Sequence, residues 1–67
     1  MIEIVINGRP HAVAPGLTLE RLLASLDLPK GPVAVERNLS VVPRARFPFE
    51  PVEAGDRLEI VTLVGGG

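Results

Sequence analysis

The sequence has no cysteine, tryptophan or tyrosine, and only one histidine, His11. Without cysteine there is no disulfide staple and no thiolate ligand, and one imidazole cannot complete a zinc site by itself. The same histidine would have to serve any serine-based triad, and no serine or threonine has an evident activating partner. His11 reads as a solvated residue on a short strand. Neither Gly-x-Gly-x-x-Gly nor the Gly-x-x-x-x-Gly-Lys phosphate loop is present. An excess of charge of one sign is missing too. Seven basic and eight acidic residues leave a net charge of −1, which lacks the positive field that holds a phosphate backbone. Phe47 and Phe49 are the only aromatic residues and lie on no basic stripe, so there is no platform for stacking bases. No apolar run approaches the ~20 residues that cross a bilayer, and Met1-Ile2-Glu3 does not open a signal peptide. These absences argue against an enzyme acting alone, a bound metal or cofactor, and nucleic-acid or membrane partners. The expectation is a cytoplasmic protein whose reaction is carried out by others.

What is present is enough for one small domain. A chain of 67 residues buries only roughly 60% of the surface it exposes when unfolded, so apolar residues must be well placed. Ile2, Ile4 and Ile6 alternate with Glu3, Val5 and Asn7, the period of a strand with one buried face. Asn7-Gly8 is a favoured hairpin turn, and His11 to Ala14 reads as the returning strand. From Thr18 the period becomes helical, with Leu19, Leu22, Leu23 and Leu26 forming one stripe. Thr18 is an N-cap, Leu17 and Leu22 stand at staple positions, and Asp27-Leu28-Pro29 ends the helix. Val33 to Arg37 and Val41-Val42 read as strands joined by a turn at Asn38. Pro43, Pro48 and Pro51 restrict the next stretch to loop or edge. Arg57 to Leu63 forms the last strand. The carboxylates, from Glu3 to Glu59, read for the most part as solvated.

One helix against several strands implies a two-layer α+β domain. For the helix to cover the sheet, the last strand must lie in the middle, parallel to the first. That arrangement is the β-grasp of ubiquitin: a mixed sheet of four to five strands packed on one face by a single helix. The domain is expected over residues 1–64, with 65–67 a flexible glycine tail.

The tail Gly65-Gly66-Gly67 is the one segment suited to chemistry. At a glycine usage of about 7%, three in a row arise by chance in roughly three positions per ten thousand, so composition alone does not explain them. Lacking a Cβ, glycines pass through a narrow channel. Three extended residues reach roughly 10 Å. A terminal carboxylate on Gly67, with an intrinsic pKa of about 3.3–3.7, is ionised at neutral pH and can attack the α-phosphate of ATP in a partner enzyme. If the protein carries sulfur, the absence of cysteine leaves the terminus as the only place for it.

These residues resemble a known family, the bacterial thiamine-biosynthesis sulfur carriers (ThiS). The similarity lies in Ile4-Val5-Ile6-Asn7-Gly8, the Thr18-Leu19 helix entry, Val41-Val42-Pro43-Arg44, Gly55-Asp56 and the diglycine end. The resemblance implies that a ubiquitin-activating-type (ThiF-like) enzyme uses ATP and magnesium to adenylate Gly67. The adenylate would become a thiocarboxylate with sulfur from a donor protein, and a thiazole synthase (ThiG-like) would receive it. By that analogy Gly66 and Gly67 carry the function and Gly65 adds reach. The chain departs from the family at Leu39, which follows Asn38 where glycine is common.

The strand pattern also suggests a docking patch. If Ile2, Ile4, Ile6, Leu58 and Ile60 face the helix, then Val5, Val61 and Leu63 face outward on neighbouring strands and lead toward the tail. Arg44 and Arg46 could flank it, although they read first as solvated. Other readings keep the carrier chemistry and change the client to molybdopterin, tRNA or an amino acid. Still others make the chain a protein modifier that conjugates lysines, or a plain β-grasp interaction module.

Overall fold

Period-two and period-3.6 segments fold as their spacing requires. The computed structural model describes residues 1–29 and 31–63. It contains strands β1 (Ile2–Ile6) and β2 (Arg9–Val13), helix α1 (Leu19–Ser25), strands β3 (Val33–Arg37) and β4 (Ser40–Val42), a 3-10 helix at Arg44–Phe49, and β5 (Arg57–Thr62). The five strands lie in the order β2-β1-β5-β3-β4. β5 runs parallel to β1 and antiparallel to β3, so the last strand occupies the centre of a mixed sheet, as the β-grasp expectation requires.

The core follows from the alternation. Ile4 and Ile6 of β1, Leu58 and Ile60 of β5 and Val35 of β3 are buried against Leu19 and Leu22 of α1, with Phe47 and Val52 closing the far side. Each such side chain contributes about 1.5–3 kcal/mol when fully buried. Ile2 is only half-buried and packs at the margin of this cluster. The alternate positions Glu3, Glu36, Arg57, Glu59 and Val61 are exposed, which leaves the second face of the sheet uncovered by any described element.

Local chemistry sets the ends of α1. The Thr18 hydroxyl accepts a hydrogen bond from the Arg21 N–H at 3.3 Å, satisfying an otherwise orphaned donor. Leu17, at the staple position before the cap, packs half-buried against the core. The helix stops at Ser25, earlier than the leucine stripe suggests. The Ser25 hydroxyl donates to the Leu22 carbonyl at 2.7 Å, and Leu26 is already extended with φ −88° and ψ 148°. Side-chain competition for backbone acceptors is the physical reason.

Three further features differ from the sequence reading. β2 begins at Arg9 and includes Pro10, which the outermost position tolerates because an edge strand has an unpaired side. The proline-rich stretch is not plain loop. Its 3-10 helix contains Pro48 and inserts Phe47 into the core, and its 6 residues exceed the about 3–4 usual for this helix type. The acidic residues are not uniformly solvated: Asp56 is 7% exposed and Glu50 is half-buried. Both face Arg37. Its Nη1 donates to Glu50 Oε1 at 2.9 Å and its Nη2 to the Pro51 carbonyl at 2.8 Å. Its Nε lies 3.4 Å from Asp56 Oδ2, within ion-pair range but without an aligned hydrogen bond. Asp56 also accepts from the Glu53 N–H at 2.9 Å. This network ties β3 to the loop before β5.

Candidate functional site

Gly65, Gly66 and Gly67, on which the sequence reading places the chemistry, lie outside the described residues, as does Val64. The described chain ends at Leu63, whose N–H donates to the Pro32 carbonyl at 2.9 Å. This bond anchors the end of β5 beside the start of β3. A surface opening of about 340 Å³ adjoins this end, lined in part by Glu20, Leu23, Val33, Arg44 and Phe47. Arg44 is exposed there. Arg46 is not simply solvated, since its Nη2 and Nε hold Glu50 Oε2 at 2.8 and 3.2 Å.

The proposed patch of Val5, Val61 and Leu63 does not assemble as one surface. Val61 and Leu63 are 57% and 53% exposed and belong to the same outward face, with Val61 opposite Ala34 of β3. Val5 is half-buried and lies opposite Arg57 in the parallel register. Four residues of strand, about 13 Å, separate that position from Val61, and Glu59 stands between. Alternation alone showed that the three residues share a face. It did not show the stagger, because which residues of β1 and β5 stand opposite one another depends on a pairing of strands far apart in the chain.

Two asparagines tie the neighbouring turns to β5. Asn7, at φ 49°, accepts from the Ile60 N–H at 2.8 Å and donates to the Ile60 carbonyl at 3.1 Å through its side chain. It thereby prolongs the β1–β5 ladder past the end of β1. On the other side of β5, Asn38, also at φ 49°, accepts from the Arg57 N–H at 2.9 Å. The sequence reading assigned both asparagines to turns. Their reach to the central strand depends on a long-range pairing that no local motif displays.

The outer face also carries a pair of facing carboxylates. Glu36 stands directly opposite Glu59 across the β3–β5 pair. Beside them Leu39 and Val41 are 91% and 70% exposed. Together with Asn38 and Arg57, the residues Glu36, Leu39 and Glu59 line a shallow depression of about 410 Å³. No group of three or more histidine, cysteine or carboxylate side chains among the described residues could hold a metal. His11 is half-buried on β2, opposite Ile4. No helix among the described residues is long and apolar enough to cross a membrane.

The Glu50 carboxylate supports structure. The Glu50 carboxyl is held below the ordinary glutamate range, first by its hydrogen bonds from Arg46 and then by that from Arg37. It joins the 3-10 helix to β3 through Arg46 and Arg37.

Comparison with known proteins agrees with the fold and extends to the glycines. The ThiS family model matches residues 4–67. The chain is 42% identical over 66 residues to a thiazole synthase of Paramagnetospirillum magneticum, and the match covers 98% of this chain but 20% of that protein. It therefore spans about a fifth of the length of that relative. It is 29% identical to the sulfur carrier protein ThiS of Escherichia coli, over 98% of this chain and 100% of that one. The crystal structure of the thiamine biosynthesis protein ThiS from Geobacter metallireducens is similar with a TM-score of 0.84 at 33% identity, covering 98% of this chain and 100% of that one. With the family pattern running from Ile4 through Gly67 and the β-grasp architecture shared along it, this chain belongs to the ThiS family.

Proposed function

We propose that this protein is a sulfur carrier for the thiazole branch of thiamine synthesis, with the Gly67 carboxylate as its working group. The observation that carries this reading is the family match through the triglycine end. The relatives named as thiazole synthases and as a sulfur carrier support the choice of pathway. The folded domain acts as co-substrate rather than catalyst, in the cytoplasm. A ubiquitin-activating-type enzyme, using its own ATP and magnesium, joins the Gly67 carboxylate to AMP with loss of pyrophosphate. A carboxylate is a poor acyl donor, whereas AMP is a good leaving group. Sulfur delivered by a donor protein at the sulfide level then displaces AMP, forming the C–S bond as the C–O bond to AMP breaks, and the resulting thiocarboxylate is passed to thiazole synthase. Gly65 and Gly66 contribute reach and the absence of side chains.

The test is intact-mass measurement after incubation with the adenylating enzyme and sulfur donor of the same organism and ATP. The expected result is the mass gain of one sulfur-for-oxygen exchange, located at Gly67 and lost when Gly66-Gly67 is deleted or one residue is added after Gly67. No gain, or a gain that survives the deletion, overturns the reading.

A further inference from the structure

The two ends of β5 are held differently. At its start the strand is flanked on both sides. Val5 and Ile6 of β1 stand opposite Arg57 and Leu58, Asn7 extends that ladder to Ile60, and Arg37 of β3 faces Leu58 from the other side. Beyond Ile60 nothing from the β1 side bonds to the strand among the described residues. Val61 and Thr62 pair with Ala34 and Val33 alone. The segment that leads into the tail is therefore held along one edge.

That edge closes with a single bond. Continuing the β3–β5 register by one residue sets Pro32 opposite Leu63, at a position where antiparallel residues ordinarily exchange two hydrogen bonds. Proline has no N–H to give. Only the Leu63 N–H donates, to the Pro32 carbonyl at 2.9 Å. Bonded positions alternate along an antiparallel pair, so the next one back is Val61 against Ala34. Loss of the Leu63 bond thus frees Thr62 as well. The acceptor is presented by an unusual residue: Gly31 has φ 120°, a conformation that residues with a Cβ rarely adopt. A Cβ there would meet the Leu63 carbonyl at 3.9 Å, which is ordinary contact. Backbone conformation, rather than space, selects glycine at this turn.

We propose that the Gly31-Pro32 turn is a positioning element for the tail, holding Leu63 so that the chain beyond it starts from one fixed point. The proposal rests on the sulfur-carrier reading, in which Gly67 must meet ATP in the adenylating enzyme. With the bond made, Val64 to Gly67 remain to be ordered, a contour of about 13–14 Å. Without it Thr62 and Leu63 join them, and the contour grows to about 20–22 Å. Each added residue costs conformational entropy when the carboxylate is placed, and a longer tether dilutes the carboxylate at the phosphate. The turn orders two residues in advance. Its loss acts on the reaction step and leaves recognition of the folded domain intact.

Steady-state adenylation tests this, followed as pyrophosphate release with the adenylating enzyme of the same organism and the full chain as the varied substrate. Leu63→Pro and Leu63→Ala remove the same side chain, but only the alanine keeps the N–H. The kcat of Leu63→Pro is expected to be about tenfold below that of Leu63→Ala, with the same KM. Gly31→Ala should lower kcat in the same direction. Gly16→Ala, which strains another positive-φ glycine in the connection between β2 and α1, should leave it unchanged. Nitrogen-15 relaxation of the free chain reads the turn without any partner: Thr62 and Leu63 should match Val61 in order, and lose that order in Gly31→Ala. Equal kcat in the two Leu63 variants overturns the proposal. So does a loss carried by KM, or an order at Thr62 and Leu63 that survives Gly31→Ala. The two readings fail separately. A wild-type chain that gains no sulfur at Gly67 refutes the carrier. One that is loaded normally, while Leu63→Pro is adenylated as fast as Leu63→Ala, refutes the positioning role alone.

Discussion

The two hairpins that flank β5 make nearly the same turn from different residues. Asn7-Gly8 joins β1 to β2, and Asn38-Leu39 joins β3 to β4. Both asparagines sit at φ 49°, followed by Gly8 at 82° in one turn and Leu39 at 73° in the other. Two successive positive φ values give the turn whose twist suits a tight hairpin. Each asparagine also reaches the central strand, Asn7 at Ile60 and Asn38 at Arg57. The second residue is where they differ. Glycine takes the left-handed conformation freely, whereas a leucine held there costs about 1–2 kcal/mol. Leu39 receives no packing in return, since it is 91% exposed. The turn therefore needs the asparagine for its cross-strand bonds and tolerates the leucine at a loss, beside the two glutamates of the outer face.

The sharpest way to break this comparison is to remove the asparagines. Asn7→Ala leaves the part-buried Ile60 N–H and carbonyl without their partner, and should lower unfolding stability in urea by about 2–3 kcal/mol. Asn38→Ala should be milder, about 1–2 kcal/mol, because its bond to the Arg57 N–H is solvent-exposed. Equal losses would show that the two ties are equivalent after all. Exchanging the second residues sharpens the contrast next. Gly8→Leu should destabilise and Leu39→Gly stabilise, each by about 1 kcal/mol, the left-handed strain being partly offset by the entropy glycine loses on folding. A Cβ at Gly8 meets nothing within 4 Å, so the first change measures backbone conformation rather than a clash.

The smallest effect concerns what lies behind the second hairpin, where Arg37 and Arg46 grip Glu50. A carboxyl whose folded pKa is depressed contributes stability that is complete above the unfolded value, about 4.3. That contribution is lost as pH falls through the lower folded value. The thermal midpoint should therefore be insensitive to this pair between pH 7 and about 5 and decline below that. Glu50→Gln should flatten the decline. An identical acid limb in wild type and variant would assign it to other carboxylates.

Much of the fold was legible locally. The alternation of Ile2–Ile6 and Arg57–Thr62, the leucine stripe behind Thr18 and the Asn7-Gly8 dipeptide each named its element, because side-chain period and turn chemistry act within a few residues. The 3-10 helix escaped because its prolines argued against strand without indicating helix, and its one buried residue, Phe47, has no periodic partner. The outer face was legible only as a parity. Val5, Val61 and Leu63 share it, but the parallel register places Arg57 against Val5 and Glu59 between the two ends. Asp56 and Glu50 read as solvated because the guanidinium that holds them comes from Arg37, more than ten residues away.

By itself the sequence determined the strands, the α-helix, the two turns and the run of three glycines at 65–67, all of which depend on residue identity and short spacing. Tertiary structure decided which side chains share a surface. The facing of Glu36 and Glu59, the separation of Val5 from Val61 and the reach of Asn7 and Asn38 onto β5 depend on the register of strands far apart in the chain. Burial of Ile4, Ile6, Leu58 and Ile60 on one face selects that register, since a slip of one residue would turn the apolar set outward.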